Sequence, residues 1–255
     1  MIRIEHLHKS FNGKLVLNDI STKFHKGKTN LIIGRSGSGK TVLMKSIVGL
    51  HDIDCGSIFY DDRNFTEMKP HERKKLRQEM GMVFQGGALF DSMTVQENVR
   101  FPLDMFTSQT SAEKQNRVEF CLDRVSIAKD AHRLSPAEIS GGMKKRVAIA
   151  RAIALNPTYL FCDEPNSGLD PETSKIIDNL IRGITIDLNI TTIINTHDMN
   201  SVMEIGDQVI FLSEGITEWE GSGKEILHAG NRKLREFVFA NRQYREIRNE
   251  RTDGT

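Results

Sequence analysis

The chain has 255 residues, of which 38% are hydrophobic, and its 35 Lys and Arg face 34 Asp and Glu for a formal net charge of +1. This composition excludes disordered, collagen-like and coiled-coil classes, and the length suits one large domain or a domain with an inserted lobe. A balanced charge gives no general attraction to phosphate backbones, so we expect no nucleic-acid partner.

The first third of the chain is predicted to form short strands around a glycine-rich loop. Alternating apolar residues indicate a strand over residues 2–7 and a second β-like stretch over 15–24. Residues 31–33 form a fully apolar strand that runs into the loop, and apolar residues over 41–50 recur at helical spacing. Strand, loop and helix are therefore expected to follow one another directly.

The middle of the chain changes to helical patterns. Thr94 and Glu97 make a capping box and Ser111 is placed to cap a second helix, so about residues 90–155 are predicted to form a mostly helical lobe. Strands over 159–162 and 191–196 then flank a helix over 171–188. This order predicts a parallel sheet whose ligand lies at the carboxyl ends of the strands.

The glycine-rich loop carries the GxxxxGK[ST] pattern of a phosphate-binding loop. Its residues are Gly34, Arg35, Ser36, Gly37, Ser38, Gly39, Lys40 and Thr41. Glycines let backbone N–H groups approach a polyphosphate without a Cβ clash, and the helix that begins near Lys40 adds its positive end. We predict that Lys40 reaches the β- and γ-phosphates of a nucleoside triphosphate and that the Thr41 hydroxyl ligates Mg²⁺.

Two acids and a histidine end neighbouring strands of the predicted sheet. Asp163 and Glu164 follow an apolar strand, where burial without a cation would cost several kcal/mol. We assign Asp163 to the Mg²⁺ shell, through a water, and Glu164 to the role of general base for the attacking water. His197 ends the next strand, and parallel pairing would bring it beside Glu164, close to the γ-phosphate.

A second helix start is a candidate anion site. Ser140 is suited as its N-cap, and Gly141 and Gly142 leave the first N–H groups bare. One nucleotide has one γ-phosphate, which Lys40 already serves. This helix is therefore expected to meet the nucleotide of a second copy, so that ATP joins a dimer.

Together these residues resemble the ATP-binding subunits of ABC transporters over about residues 1–240. In this resemblance Gly34 to Thr41 is the Walker A motif, Asp163 and Glu164 end Walker B, and His197 is the switch histidine. The resemblance also assigns Phe11 to stacking on adenine with Val16 beside it, Gln85 to the Q-loop that contacts Mg²⁺, and Ser140 to Met143 to the signature motif. Met143 stands where the family usually has glutamine, and Gly168 of the D-loop stands where alanine is usual.

The resemblance implies an α/β fold: a P-loop NTPase (RecA-like) core with an antiparallel β subdomain and an inserted α-helical subdomain. It implies one nucleotide-binding domain over residues 1–240, followed by a basic tail over 241–255. It also implies ATP hydrolysis with ATP and Mg²⁺ as cofactors, a dimer of two copies and a separate integral membrane permease. No apolar run reaches the roughly 18 residues of a membrane span, and the implied location is peripheral, on the cytoplasmic face of the inner (plasma) membrane.

The cargo depends on the segment after Gln85. Residues 84–99 and 101–103 resemble the Q-loop region of Mla-like ATPases, which move phospholipids together with MCE-domain lipid-binding proteins. Phospholipid transport is therefore the expected function, with Ala88, Leu89, Phe90 and Met93 as candidates to line a groove for the permease. The alternatives are an importer ATPase for amino acids or other small solutes, and a soluble ABC ATPase such as an iron–sulfur assembly factor.

Overall fold

The computed structural model describes residues 1–239. Its strands are β1 (Ile2–Phe11), β2 (Lys14–Phe24), β3 (Thr29–Ile33), β4 (Cys55–Tyr60), β5 (Arg63–Asn64), β6 (Met80–Val83), β7 (Tyr159–Asp163), β8 (Thr191–Thr196), β9 (Gln208–Ser213) and β10 (Ile216–Gly221). Its helices are α1 (Lys40–Ile47), α2 (Pro70–Gln78), α3 (Val95–Phe106), α4 (Ser111–Arg124), α5 (Gly141–Ile153), α6 (Pro171–Asp187), α7 (Met199–Ile205) and α8 (Arg232–Val238). The predicted tail over 241–255 and the end of the predicted domain at 240 lie outside the described residues.

A six-stranded sheet forms the centre of this structure, with the strand order β10-β9-β3-β8-β7-β6. From β9 to β6 all neighbouring strands pair in parallel, and only the β9–β10 pair is antiparallel. Every residue of β3 and β8 is buried, as expected for parallel strands covered on both faces. The predicted parallel sheet, and with it the α/β P-loop fold class, is confirmed.

A second sheet is antiparallel and has the order β2-β1-β4-β5. Its first hairpin turns at Asn12 and Gly13, which both have positive φ angles of 50° and 77°. Such a pair is the usual two-residue hairpin turn. The predicted strand over residues 2–7 is therefore too short, since β1 continues to the turn at Phe11.

Three helices occupy the predicted helical region, and α3 packs against both α4 and α5. Their apolar faces join one core cluster with β6, β7 and α6. Thr94 caps α3 through a capping box with Glu97, as the sequence predicts. The predicted cap of α4 is wrong by one residue: Thr110 accepts from the Glu113 N–H, and Ser111 is the first residue inside the helix.

Replacing Thr110 by alanine should lower the free energy of unfolding by about 1 kcal/mol, because the first turn of α4 loses its side-chain acceptor. Chemical denaturation measures the change. Ser111→Ala is the matched control, since Ser111 Oγ accepts from the exposed Arg100 side chain at 3.3 Å, whereas Thr110 Oγ1 accepts from a backbone N–H of the first turn. If the control lost as much stability as Thr110→Ala, the corrected cap would be wrong.

Candidate active site

The loop between β3 and α1 packs closely against the backbone of β9. Gly34 has a φ of 153°, and a Cβ at this position would lie 2.2 Å from the carbonyl oxygen of Leu212 on β9. A larger residue cannot fit there without displacing β9. Gly39 directly precedes α1 and has a left-handed backbone conformation. Because it has no side chain, Gly39 gives the first N–H groups of α1 no side-chain acceptor.

Lys40, the first residue of α1, is buried under this loop. Its Nζ donates to the carbonyl oxygens of Gly34 at 2.8 Å and Arg35 at 3.1 Å. Burial lowers the pKa of Lys40, while the nearby Glu164 and Asp163 carboxylates oppose this shift. The ammonium group is thus held next to the loop, where phosphate oxygens can replace the two carbonyl oxygens.

The two acids at the end of β7, Asp163 in the strand and Glu164 directly after it, lie in different surroundings. The Asp163 Oδ1 accepts from Asn195 Nδ2 at 3.0 Å, and these residues are opposite each other in the parallel β7–β8 register. Glu164 has left the strand: its φ is 48°, and its N–H donates to the Asn195 carbonyl at 3.0 Å. A non-glycine residue in this conformation is strained, and strain of this kind clusters at functional sites.

His197 lies beside Glu164, as the strand order predicts. Its Nδ1 is 2.8 Å from Glu164 Oε2, and the histidine side chain is 67% exposed while that of Glu164 is 16% exposed. The contact orients the half-buried carboxylate and leaves the far side of the imidazole open.

Gln85 follows β6 and reaches the turn after Glu164. Its Nε2 donates to Ser167 Oγ at 3.2 Å, and its carbonyl oxygen accepts from Lys145 Nζ of α5. The arrangement therefore connects the segment after β6 both to the turn that follows Glu164 and to α5.

One cavity of about 820 Å³ brings most of these residues together, a size within the usual range of ligand sites. It is lined by Val16, Arg35, Ser36, Gly37, Gly39, Lys40, Thr41, Val42, Gln85, Glu164, His197, Met199 and Phe237. Asp163 and Gly34 are not among these lining residues, and Ser38 lines a smaller adjacent cavity. Phe11 is not among the lining residues, since its ring packs edge-on against His51 at 5.2 Å.

The second candidate anion site lies elsewhere on the surface. Ser140 is the N-cap of α5 and accepts from the Met143 N–H at 3.2 Å. With Gly141, Gly142 and Met143 it lines a separate cavity of about 440 Å³, which Gly168 and Asp170 also line. Neither cavity shares a lining residue with the other, so within one chain the two predicted phosphate sites remain apart.

Comparison with known protein families identifies this arrangement. A family model described as ABC transporter matches residues 17–167, more than half of the chain. The chain belongs to the ABC transporter family. The matched region includes the loop around Lys40, the α5 helix start and the two acids at the end of β7.

This ABC protein is similar over most of its length to named ATP-binding proteins. It is 37% identical to the methionine import ATP-binding protein MetN of Clostridioides difficile, over 93% of this chain and 74% of that protein. It is 34% identical to the probable ribonucleotide transport ATP-binding protein mkl of Mycobacterium leprae, over 94% of this chain and 69% of that protein. ATP hydrolysis coupled to transport is the activity of this family, with ATP and Mg²⁺ as its cofactors.

Solved structures of ABC cassettes share the fold. The dimeric post-hydrolysis structure of the cassette MJ0796, bound to ADP and phosphate, aligns with a TM-score of 0.79 at 28% identity, covering 87% of this chain and 98% of that one. CbiO1 of Clostridium perfringens, part of the transporter complex cbiONQ, aligns with a TM-score of 0.83 at 30% identity, covering 90% and 91%.

The residues near Lys40 fit a magnesium ion that is held mainly through the nucleotide. Within residues 1–239 there is no group of three or more His, Cys, Asp or Glu side chains that could hold a metal alone. Mg²⁺ typically takes one or two carboxylates and completes its shell with substrate phosphates and water. The Asp163 carboxylate and the Thr41 hydroxyl supply that kind of partial shell.

Three features of the site were missed from the sequence. Asn195 holds Asp163, and its place two residues before His197 on a buried strand was the available signal. Met199 at the start of α7 and Phe237 of α8 also line the cavity, but nothing in the local pattern of either helix indicates contact with the loop around Lys40. Their position follows only from the packed structure.

Glu164→Gln should lower the ATP hydrolysis rate by about 10²–10⁴-fold, because the amide cannot take a proton from water. ATP affinity should change little. Phosphate release measures the hydrolysis rate, and equilibrium binding measures the affinity. Lys40→Ala is the contrasting variant and should lose affinity and hydrolysis together. A Glu164→Gln enzyme with undiminished turnover would remove the base assignment.

Proposed function

We propose that this chain is the ATP-hydrolysing subunit of an ABC importer for a small solute such as an amino acid, working as a dimer with a separate membrane permease. The catalytic part of this proposal rests on one observation, which is that Lys40, Glu164 and His197 line the same cavity. The similarity to methionine import ATP-binding proteins at 37% and 36% identity supports the importer class and the cargo class.

In this proposal Glu164 is the general base, because its carboxylate is oriented and lies in the cavity beside Lys40. His197 fixes one carboxylate oxygen and leaves the other for the water. Lys40 holds the phosphates against the loop, and Thr41, Asp163 and Gln85 would hold the metal ion. Bound Mg²⁺ supplies charge neutralisation between the phosphates.

The separation of the two cavities supports a dimer. Ser140 lies in a cavity other than that of Lys40, so it can serve a γ-phosphate only if that phosphate belongs to another copy. The N–H groups at the start of α5 carry a partial positive charge and therefore form a site that favours a phosphate. ATP then stabilises the closed dimer, and hydrolysis removes the contact and lets the two copies separate.

Adding Ser140→Asp to Glu164→Gln should prevent ATP-induced dimerisation. Aspartate caps a helix as well as serine does, so α5 should keep its start while the added charge repels the γ-phosphate. Light scattering with Mg-ATP is expected to show a dimer for Glu164→Gln and a monomer for the double variant. Ser140→Asn, an equally good but neutral cap, is the control; a dimer that survived the charge would contradict the proposed contact.

The proposed permease surface is an apolar cavity of about 600 Å³ that shares no lining residue with the cavity around Lys40. Phe90, Phe101 and Phe106 line it, with the guanidinium of Arg151 at 5.8 Å from the Phe90 ring. Phe90 is 41% exposed and Phe106 is 46% exposed. Of the predicted groove residues, Ala88 and Phe90 line this cavity, whereas Leu89 packs against the core.

Phe90→Glu should abolish co-purification of an integral membrane permease from detergent extracts, while ATP binding persists. Phe120→Glu is a matched control, because Phe120 is also exposed, at 48%, and also lies beside an arginine, Arg117, at 4.9 Å. Wild type and Phe120→Glu are expected to bring down the same membrane protein. Retention by Phe90→Glu, or no membrane protein with wild type, would contradict the proposal.

A second candidate cargo is phospholipid, favoured by the resemblance of residues 84–103 to Mla-like ATPases. The named relatives alone leave the choice open, since one of similar identity is named for ribonucleotide transport. The complex purified above distinguishes the candidates when it is placed in vesicles with ATP. Uptake of labelled methionine or another amino acid supports the first proposal, and transfer of a labelled phospholipid without amino-acid uptake supports the second.

A further inference from the structure

A buried polar cluster lies under the turn that follows Glu164. It consists of Asn166 in the turn, Asp178 on α6 and Ser201 on α7, whose exposed fractions are 9%, 3% and 2%. Asn166 Nδ2 donates to Asp178 Oδ1 at 2.8 Å and to Ser201 Oγ at 3.1 Å. The Ser201 hydroxyl also lies close enough to the Asp178 carboxylate to lower its pKa, so the three side chains form one polar triangle around the Asn166 amide.

The triangle connects the two chain segments that carry the catalytic pair. Asn166 is two residues after Glu164, and the Ser167 N–H closes the same turn by donating to the Glu164 carbonyl at 3.1 Å. Ser201 belongs to α7, which begins two residues after His197. The position of Glu164 relative to His197 therefore depends on what holds the turn against α7.

Simple packing does not account for an aspartate at this position. The hydrogen-bond donors around Asp178 are an amide and a hydroxyl, and both are neutral. Burial is the main reason that the pKa of Asp178 is raised to about 6, and the Asp198 and Glu204 carboxylates add to the shift. Apolar residues of similar volume are often at least as stabilising as a buried charge. The carboxylate also dictates the orientation of the Asn166 amide, whose oxygen is left buried without a hydrogen-bond partner among the described residues.

We propose that Asp178 is a positioning residue for ATP hydrolysis, which fixes the turn after Glu164 against the helix after His197. This inference rests on the proposed roles of Glu164 and His197. Asp178 itself touches neither, so its effect on the rate passes through Asn166 and Ser201. A small displacement of the carboxylate from the attacking water is enough to cost a large factor in rate.

The test exchanges the two partners, using the full chain purified with its permease. Asn166→Asp places two carboxylates face to face and should lower kcat by about 10–100-fold, with ATP affinity within about twofold of wild type. Asn166→Asp combined with Asp178→Asn rebuilds the triangle with donor and acceptor reversed. It should restore kcat to within about threefold of wild type.

Two further variants keep the test decisive if Asn166→Asp does not fold. Asp178→Ala removes the acceptor and should lose kcat in the same way, whereas Asp178→Asn keeps one acceptor oxygen and should retain most activity. Thr185→Val is the structural control, because Thr185 is a fully buried residue of α6 whose hydroxyl lies 2.6 Å from that of Thr192, at the far end of β8. It should lower the melting temperature without changing kcat.

Unchanged kcat in Asp178→Ala, or an exchanged pair that folds and binds ATP but stays slow, would overturn the positioning role. Failure of the proposed base is a separate result, since it would show as normal turnover in Glu164→Gln. The exchange experiment reports on Asp178 even in that case, because it compares the same reaction in paired variants.

Discussion

The candidate active site depends on the parallel pairing of β3, β8 and β7. Ile33 lies opposite Thr196 and Asp163 lies opposite Asn195, so the three strands end at the same level. Lys40 then enters from one strand end, Glu164 from another and His197 from the strand between them. Because side chains alternate along a strand, a slip of one residue would turn the Asp163 side chain to the other face. Burial of these strands on both faces makes such a slip costly.

The cost of this arrangement is a set of ionisable groups in a buried environment. Lys40 has a lowered pKa because it is buried, and Asp178 has a raised one, at about 6, for the same reason first. Keeping Asp178 ionised at neutral pH therefore costs about 3 kcal/mol of stability relative to an aspartate with the ordinary pKa of 3.8. The folded state takes up this proton below about pH 6, so the penalty disappears as the pH falls towards 4. Asp178 thus lowers the stability of the folded state at the position that holds the turn after Glu164.

The sequence predicts best what depends on neighbouring residues. The loop from Gly34 to Thr41, the buried strands and the cap at Thr94 each rest on a local pattern, and they are found where expected. The cap of α4 was misplaced because Thr110 and Ser111 are both good capping residues, and only the backbone angles decide between them. The triangle of Asn166, Asp178 and Ser201 was not foreseen, because each residue is ordinary in its own segment. Their contact exists only once α6 and α7 pack together.

Helix α5 connects the proposed anion site at Ser140 to the segment that leads to the apolar cavity. Its first turn carries Ser140, while its later residues hold the segment that leads to the apolar cavity. Lys145 donates to the carbonyl oxygen of Gln85, and Arg151 donates to those of Gly87 and Ala88, each at 2.7 Å. These donors hold the segment through its backbone, so a shift of α5 moves that segment whatever its side chains are. The helix start that would meet a second nucleotide and the surface proposed for the permease are therefore parts of one rigid element. Cargo differences among relatives can then reside in the side chains around Phe90. The connection to ATP stays in the hydrogen bonds from α5 side chains to the backbone of that segment.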